Sequence, residues 1–185
     1  LVTETPLAIE ARLNIRIHTR CPVYGIDAKN KTLSTASGEL AYGKLVLAQG
    51  AAPIRLPLNG DGAEDVISVN DLQDYRRFRD RLQGRKRVSI IGNGLIGCEF
   101  APDLANAGIE VDVIGLSAWS MDRLIPQAVG EQLQSRLQDK GVRWHLNTTV
   151  ASVEREGEGY RLILENGDRI DTDLVLSAVG LRART

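Results

Sequence analysis

The sequence predicts an α/β fold: a parallel sheet flanked by helices and extended by a β-meander, with a β-rich segment ahead of it. Three observations lead there. From Arg87 to Gly115 an apolar run, a Gly-x-Gly-x-x-Gly turn, a helix-like segment and a second apolar run follow one another. Two strand-rich regions repeat at a fixed offset. At 185 residues, 43% hydrophobic and 25% charged, the chain has ordinary globular composition and the length for one domain or one and a half.

Strand-like runs open the chain: "LNIRIH", "VYGID", "TLST", "ELAY" and "KLVLAQG". A linker rich in Pro and Gly, "AAPIRLPLNGDGAED", follows. Asn70 is placed to cap a helix through "DLQDYRRFRDRLQ", with Gln73 three residues on as its capping-box partner. Lys86 to Ile91 is short, apolar and β-branched, as a buried parallel strand requires. The helix after the glycine turn contains Pro102, which removes one ladder hydrogen bond and is expected to bend it. Another helix is expected from about Pro126 to Lys140, with Pro near its first turn and Gly141 just past its end. The tail returns to strands: "VRWHLN", "VASVERE", "YRLILENGDRI" and "DLVLSAVG".

The two strand-rich regions match. "IRIHTRCPVYGI" (15–26) parallels "VRWHLNTTVASV" (142–153), and "SGELAYGKLVLAQG" (37–50) parallels "NGDRIDTDLVLSAVG" (166–180), an offset of roughly 127 to 130 residues. Two copies of one unit are expected. The second copy has its glycine turn about 55 residues ahead of its hairpins; the first has only about 14 residues in that place. The chain is therefore expected to be a truncated form of a longer protein.

Gly92, Gly94 and Gly97 sit between a strand and a helix, in the pattern that binds a dinucleotide. The first permits the tight turn, the second lets the main chain approach a diphosphate, and the third lets helix and strand pack closely. The N–H groups of Leu95 and Ile96 begin the helix, where free donors and the dipole favour an anion. With "VDVIG" at the spacing of a second parallel strand, the region reads as a Rossmann-like NAD-binding domain. Asn93 completes the turn. Such strands usually end in an acid that grips the adenine ribose; here Gly115 stands there, eighteen residues after Gly97. Asp112 lies mid-strand and faces away. No Arg directly follows the strand tip, which favours NAD over NADP. Glu99 is either a solvated helix carboxylate or a group near the ribose or nicotinamide end.

Other chemistry finds less support. A net charge of −1 gives no footprint for nucleic acid or a membrane surface, and no apolar run approaches the ~20 residues of a bilayer span. Cys21 and Cys98 form no Cys-x-x-Cys pair, so a reducing cytoplasm is expected, with Cys98 as buried packing. His18 and His145 occupy equivalent repeat positions, which favours a strand-face role over metal ligation. No Tyr is followed four places on by Lys, as a short-chain dehydrogenase would want. No catalytic side chain and no metal ligand is singled out.

"VSIIGNGLIGCEFA", "KLVLAQGAAPIRLP" and "DLVLSAVGLRART" resemble the two-dinucleotide flavoprotein reductases related to glutathione reductase. In that family a FAD domain is interrupted by an NAD(P) domain, each on one duplicated unit. The resemblance implies the trailing part of a FAD-binding domain at 1–57, a linker and helix at 58–83, an NAD-binding domain at 84–180, and the start of a return to the FAD domain at 181–185. It places Ala48, Gln49 and Gly50 against FAD, with Gln49 where the family has Thr, and Val179 and Gly180 beside NAD. In the return segment Ala183 stands where Pro is usual. "VNDLQDYRRF" and "GLIGCEFAPDL" most resemble the bacterial rubredoxin–NAD reductases. Such enzymes pass a hydride from NADH to FAD and then electrons to a small carrier, rubredoxin in that subgroup. The family's first FAD-binding glycine turn is not in these residues, so the chain is expected to bind NAD(H) without holding FAD firmly or turning over alone. A non-catalytic NAD-binding module, and a reductase serving ferredoxin or another acceptor, are the alternatives.

Overall fold

The computed structural model describes residues 3–184; Leu1, Val2 and Thr185, which fall within the expected first and last segments, lie outside the described residues. Two compact units divide the chain, Leu1–Ala48 and Gln49–Thr185.

The first unit opens with a helix that the strand reading missed, α1 (Pro6–Leu13). Its signals are local. The Thr5 side chain accepts the N–H of Ala8 at 3.3 Å, Pro6 fills the first turn, and Asn14 ends the helix in the left-handed region at φ 52°. The expected strand "LNIRIH" does not form. Beyond it lies an antiparallel meander of β1 (Val23–Asp27), β2 (Thr32–Thr35) and β3 (Gly38–Ala41), in that order. "KLVLAQG" forms no strand either.

The second unit begins with β4 (Ala51–Pro53), inside the expected linker, and α2 (Leu72–Leu82). The helix cap is Asp71 rather than Asn70. Its carboxylate accepts the N–H groups of Gln73 and Asp74, each at 2.8 Å. Asn70 instead donates its Nδ2 to the carbonyl of Ala51 at 2.9 Å, and its own N–H to Asp74 at 3.1 Å. The reciprocal partner is thus Asp74, and Gln73 contributes only its main chain.

Then come β5 (Arg87–Ile91), α3 (Leu95–Asn106), β6 (Glu110–Gly115), α4 (Gln127–Gln138) and β7 (Val142–Leu146). A second meander follows, β8 (Val150–Glu156), β9 (Gly159–Leu164) and β10 (Arg169–Thr172), and the chain returns through β11 (Leu174–Ser177) to β12 (Leu181–Ala183). Strands β11-β5-β6-β7 make one parallel sheet in that order. Pro102 falls inside α3 without ending it, between the buried Ala101 and Leu104.

Side-chain alternation makes three layers of this unit. Val88, Ile90, Val111, Val113, Leu174 and Leu176 turn to one face and pack with Phe78, Leu104 and Leu137 of the helices. Ile91, Ile114 and Val175 turn to the other and pack with Val153, Leu162 and Leu164 of the meander. Strand β4 pairs antiparallel with β12, Ala52 opposite Arg182, flanked by bonds from Ile54 N–H to the Gly180 carbonyl (3.0 Å) and Arg184 N–H to the Gly50 carbonyl (3.1 Å). This ribbon draws residues 51–57, expected with the first segment, into the second unit.

The repeat is visible inside each unit. Both meanders run in sequence order, and the first strand of each carries its irregularity at the same place, between Val23 and Gly25 and between Val150 and Ser152. The copies part where a parallel neighbour is needed. Strand β11 pairs with β5, and β7 with β6. The corresponding residues 45–48 and 15–18 have no described parallel strand to pair with and remain irregular. Val175 is 1% exposed, whereas Val46 in its place is 85% exposed.

Candidate functional site

The glycine turn lies where β5 meets α3, and each glycine answers a separate steric demand. Gly92 has φ +119°, and a Cβ there would stand 2.6 Å from the carbonyl oxygen of Ala178. Its N–H is bonded to the Ile114 carbonyl at 2.7 Å, and Ala178 N–H to the Ile91 carbonyl at 2.7 Å, so the turn is pinned between the ends of β6 and β11. A Cβ on Gly97 would run into the carbonyl oxygen of Gly92. Gly94 differs: a Cβ there would meet nothing within 4 Å. Bulk is excluded at Gly92 and Gly97 by the protein itself, and at Gly94 the space is left open.

That space sits at the N-terminus of α3. Gly94 is the N-cap, no side chain caps it, and no acidic residue lies in the first turn. The first-turn N–H groups of Leu95, Ile96 and Gly97 therefore point outward without an internal acceptor, at the positive end of the helix. Such a tip suits a diphosphate. Leu95 is exposed beside it, while Ile96 packs on the core. Glu99 is exposed, one turn further along.

Asn93 is 7% exposed and joins the turn to the loop after β6. Its Nδ2 donates to the carbonyls of Trp119 (3.1 Å) and Ser117 (3.4 Å), and its own carbonyl accepts from Met121 N–H at 2.9 Å. The Cys98 thiol also points to that carbonyl, at 3.6 Å. A Cβ on Gly115 would run into the Asn93 side chain, 2.7 Å from its Cβ. The strand tip that usually bears an acid is thus covered by an amide from the turn. Sequence spacing marked both positions, but nothing in it signalled that they compete for one volume.

Asp112 is 3% exposed and belongs to a separate cluster. Arg143 grips its carboxylate with two bonds, Nε at 3.0 Å and Nη2 at 2.8 Å, and His145 Nε2 adds a third at 2.8 Å. Burial alone would push this acid up. The bonds from His145 and Arg143 outweigh it and hold the carboxyl at about 2.

Val179 is half-buried against the second core cluster, and Gly180, at φ +114°, follows it. Ala48, Gln49 and Gly50 are exposed and irregular. Two clefts on the second unit, one lined by Leu56, Asp71, Arg81 and Ser177 and the other by Arg85, Glu158 and Asp173, include none of the glycine-turn residues. No helix among the described residues is long and apolar enough to cross a membrane.

Residues 5–185 match the pyridine nucleotide-disulphide oxidoreductase family. The chain belongs to this family. Among curated members, it is similar to a rubredoxin-NAD(+) reductase from Alcanivorax borkumensis, 41% identical over all of this chain and 48% of that protein. It is also similar to a rubredoxin-NAD(+) reductase from Acinetobacter baylyi, 48% identical over 76% of this chain and 37% of that protein. Among solved members, a ferredoxin reductase from Rhodopseudomonas palustris superposes with a TM-score of 0.86 at 29% identity, over 96% of this chain and 44% of that one. The chain spans about half, or less, of the length of these family members.

Proposed function

We propose that this chain is the NAD(H)-binding part, with a trailing portion of the FAD-binding part, of an NADH-dependent flavoprotein reductase serving a small electron-carrier protein. Rubredoxin is the carrier favoured, because it appears in the names of the two curated relatives above. The single observation that supports the reading most is the uncapped tip of α3 with open space at Gly94. A diphosphate fits there: the main chain supplies donors, and no side chain of the turn fills the volume. Gly92, Asn93, Leu95, Ile96 and Gly97 frame that cradle, Gly115 marks its ribose end, and Glu99, Val179 and Gly180 lie toward the rest of the dinucleotide. Ala48, Gln49 and Gly50 belong, by family resemblance, to the FAD side.

When bound, the nicotinamide supplies a hydride and the flavin passes electrons on; the chemistry is the cofactors' own. The chain's residues bind and orient the dinucleotide. Titration with NADH, followed by amide resonances, tests this. The largest changes are expected across Gly92 to Gly97, with FAD bound only weakly by these residues. Changes confined to other segments would remove the glycine turn from the site.

A further inference from the structure

Within the dinucleotide site proposed above, and resting on that reading, we infer that the Asn93 side chain receives the adenosine ribose 2′-hydroxyl in place of an acid at the strand tip. The amide's orientation is fixed by its neighbours. Two carbonyls, of Ser117 and Trp119, face Nδ2, and only an N–H group can satisfy them. Oδ1 is therefore turned the other way. It lies against the place a Gly115 Cβ would occupy, and it accepts no hydrogen bond among the described residues. A side chain 7% exposed thus aims a free acceptor at the end of β6.

That is where a ribose hydroxyl needs one. In the common arrangement an acid on the second strand accepts from the ribose. Gly115 has no side chain, and any it gained would collide with Asn93. The two positions are complementary: the turn supplies the acceptor, and the strand supplies the room.

The same atom sets a preference between NAD and NADP. A hydroxyl brings a proton to Oδ1. A 2′-phosphate brings only charge and acceptors, and neither Asn93 nor Gly115 offers it a cation.

The test compares binding of NADH, its analogue lacking the adenosine 2′-hydroxyl, and NADPH to the 185-residue chain, by quenching of tryptophan fluorescence. The unaltered chain is expected to bind NADH about three- to tenfold more tightly than the deoxy analogue, the range of one neutral hydrogen bond, and NADPH more weakly still. Asn93→Ala is expected to bind NADH and the deoxy analogue equally. Asn93→Ala with Gly115→Asp is expected to distinguish them again. A purely structural role for Asn93 would weaken both ligands alike and leave their ratio unchanged, which overturns the inference. Equal binding of NADH and the deoxy analogue by the unaltered chain also overturns it, even if no variant folds. In that case the dinucleotide reading survives. Failure of NADH to bind at all removes both together.

Discussion

Gly97 stands so close to Gly92 that the first turn of α3 rests on the carbonyl oxygen of this residue, the first after β5. Backbone meets backbone there, which fixes the angle at which the helix tip faces outward. Gly97→Ala must push the two apart and is expected to cost about 2–3 kcal/mol in urea unfolding. At Gly94 an added Cβ meets nothing within 4 Å and the φ is an ordinary −81°, so Gly94→Val has room to start its side chain. It is expected to change stability by no more than about 1 kcal/mol, while weakening NADH at least tenfold. Unchanged NADH affinity in Gly94→Val would count against the cradle.

Asp112 predicts an acid limit to stability. Its folded carboxyl titrates at about 2, below the ordinary 3.8, so the unfolded chain binds the proton more readily. The contribution, about 2 kcal/mol, is fully present above pH ~4 and is lost as pH falls through about 2. Asp112→Asn is expected to be less stable at neutral pH and to show a shallower loss over that window. A wild-type slope in the variant would refute the assignment.

The two thiols should differ in reactivity. Burial pushes Cys98 up, whereas the hydroxyl of Ser37, 3.4 Å from Cys21, draws that thiol down. Iodoacetamide at neutral pH is expected to label Cys21 first, with Cys98 modified only on unfolding. Mass spectrometry of timed samples reads the order. Equal rates would show that Cys98 is not shielded.

The cap of α2 offers a local check. Asp71→Ala removes the acceptor for two N–H groups and is expected to cost about 1 kcal/mol, measured by thermal unfolding. Asn70→Ala should leave the helix start intact and loosen its tie to Ala51. Hydrogen exchange at Gln73 and Asp74 separates the two.

The parallel sheet was legible because its apolar runs and glycine turn are bound by near-neighbour rules. Val88 to Ile91, the turn and Val111 to Ile114 each carry their own signal. The repeat was legible too, but the irregularity its two meanders share, at Val23 and Val150, came from the strand register alone. What failed had non-local causes or competing local ones. Leu45 to Leu47 has strand composition, but a parallel strand exists only beside a neighbour. Ala51 to Pro53 looks like linker, yet pairs with Leu181 to Ala183 about 130 residues on. Asn70 and Asp71 are both good caps, and the carboxylate prevailed by taking two donors. At the site, the glycines were readable from spacing. The overlap of Asn93 with Gly115 depends on a loop, Ser117 to Met121, whose course no periodicity encodes.

The β4–β12 ribbon has a consequence beyond hydrogen bonding. With Ala52 opposite Arg182, the strands at the two ends of the second unit run side by side about 5 Å apart. A module whose two ends meet in this way can be grafted into one surface turn of another protein without stretching the host's chain. The ribbon gives the residues between β4 and β12 the closely spaced ends that such a graft requires.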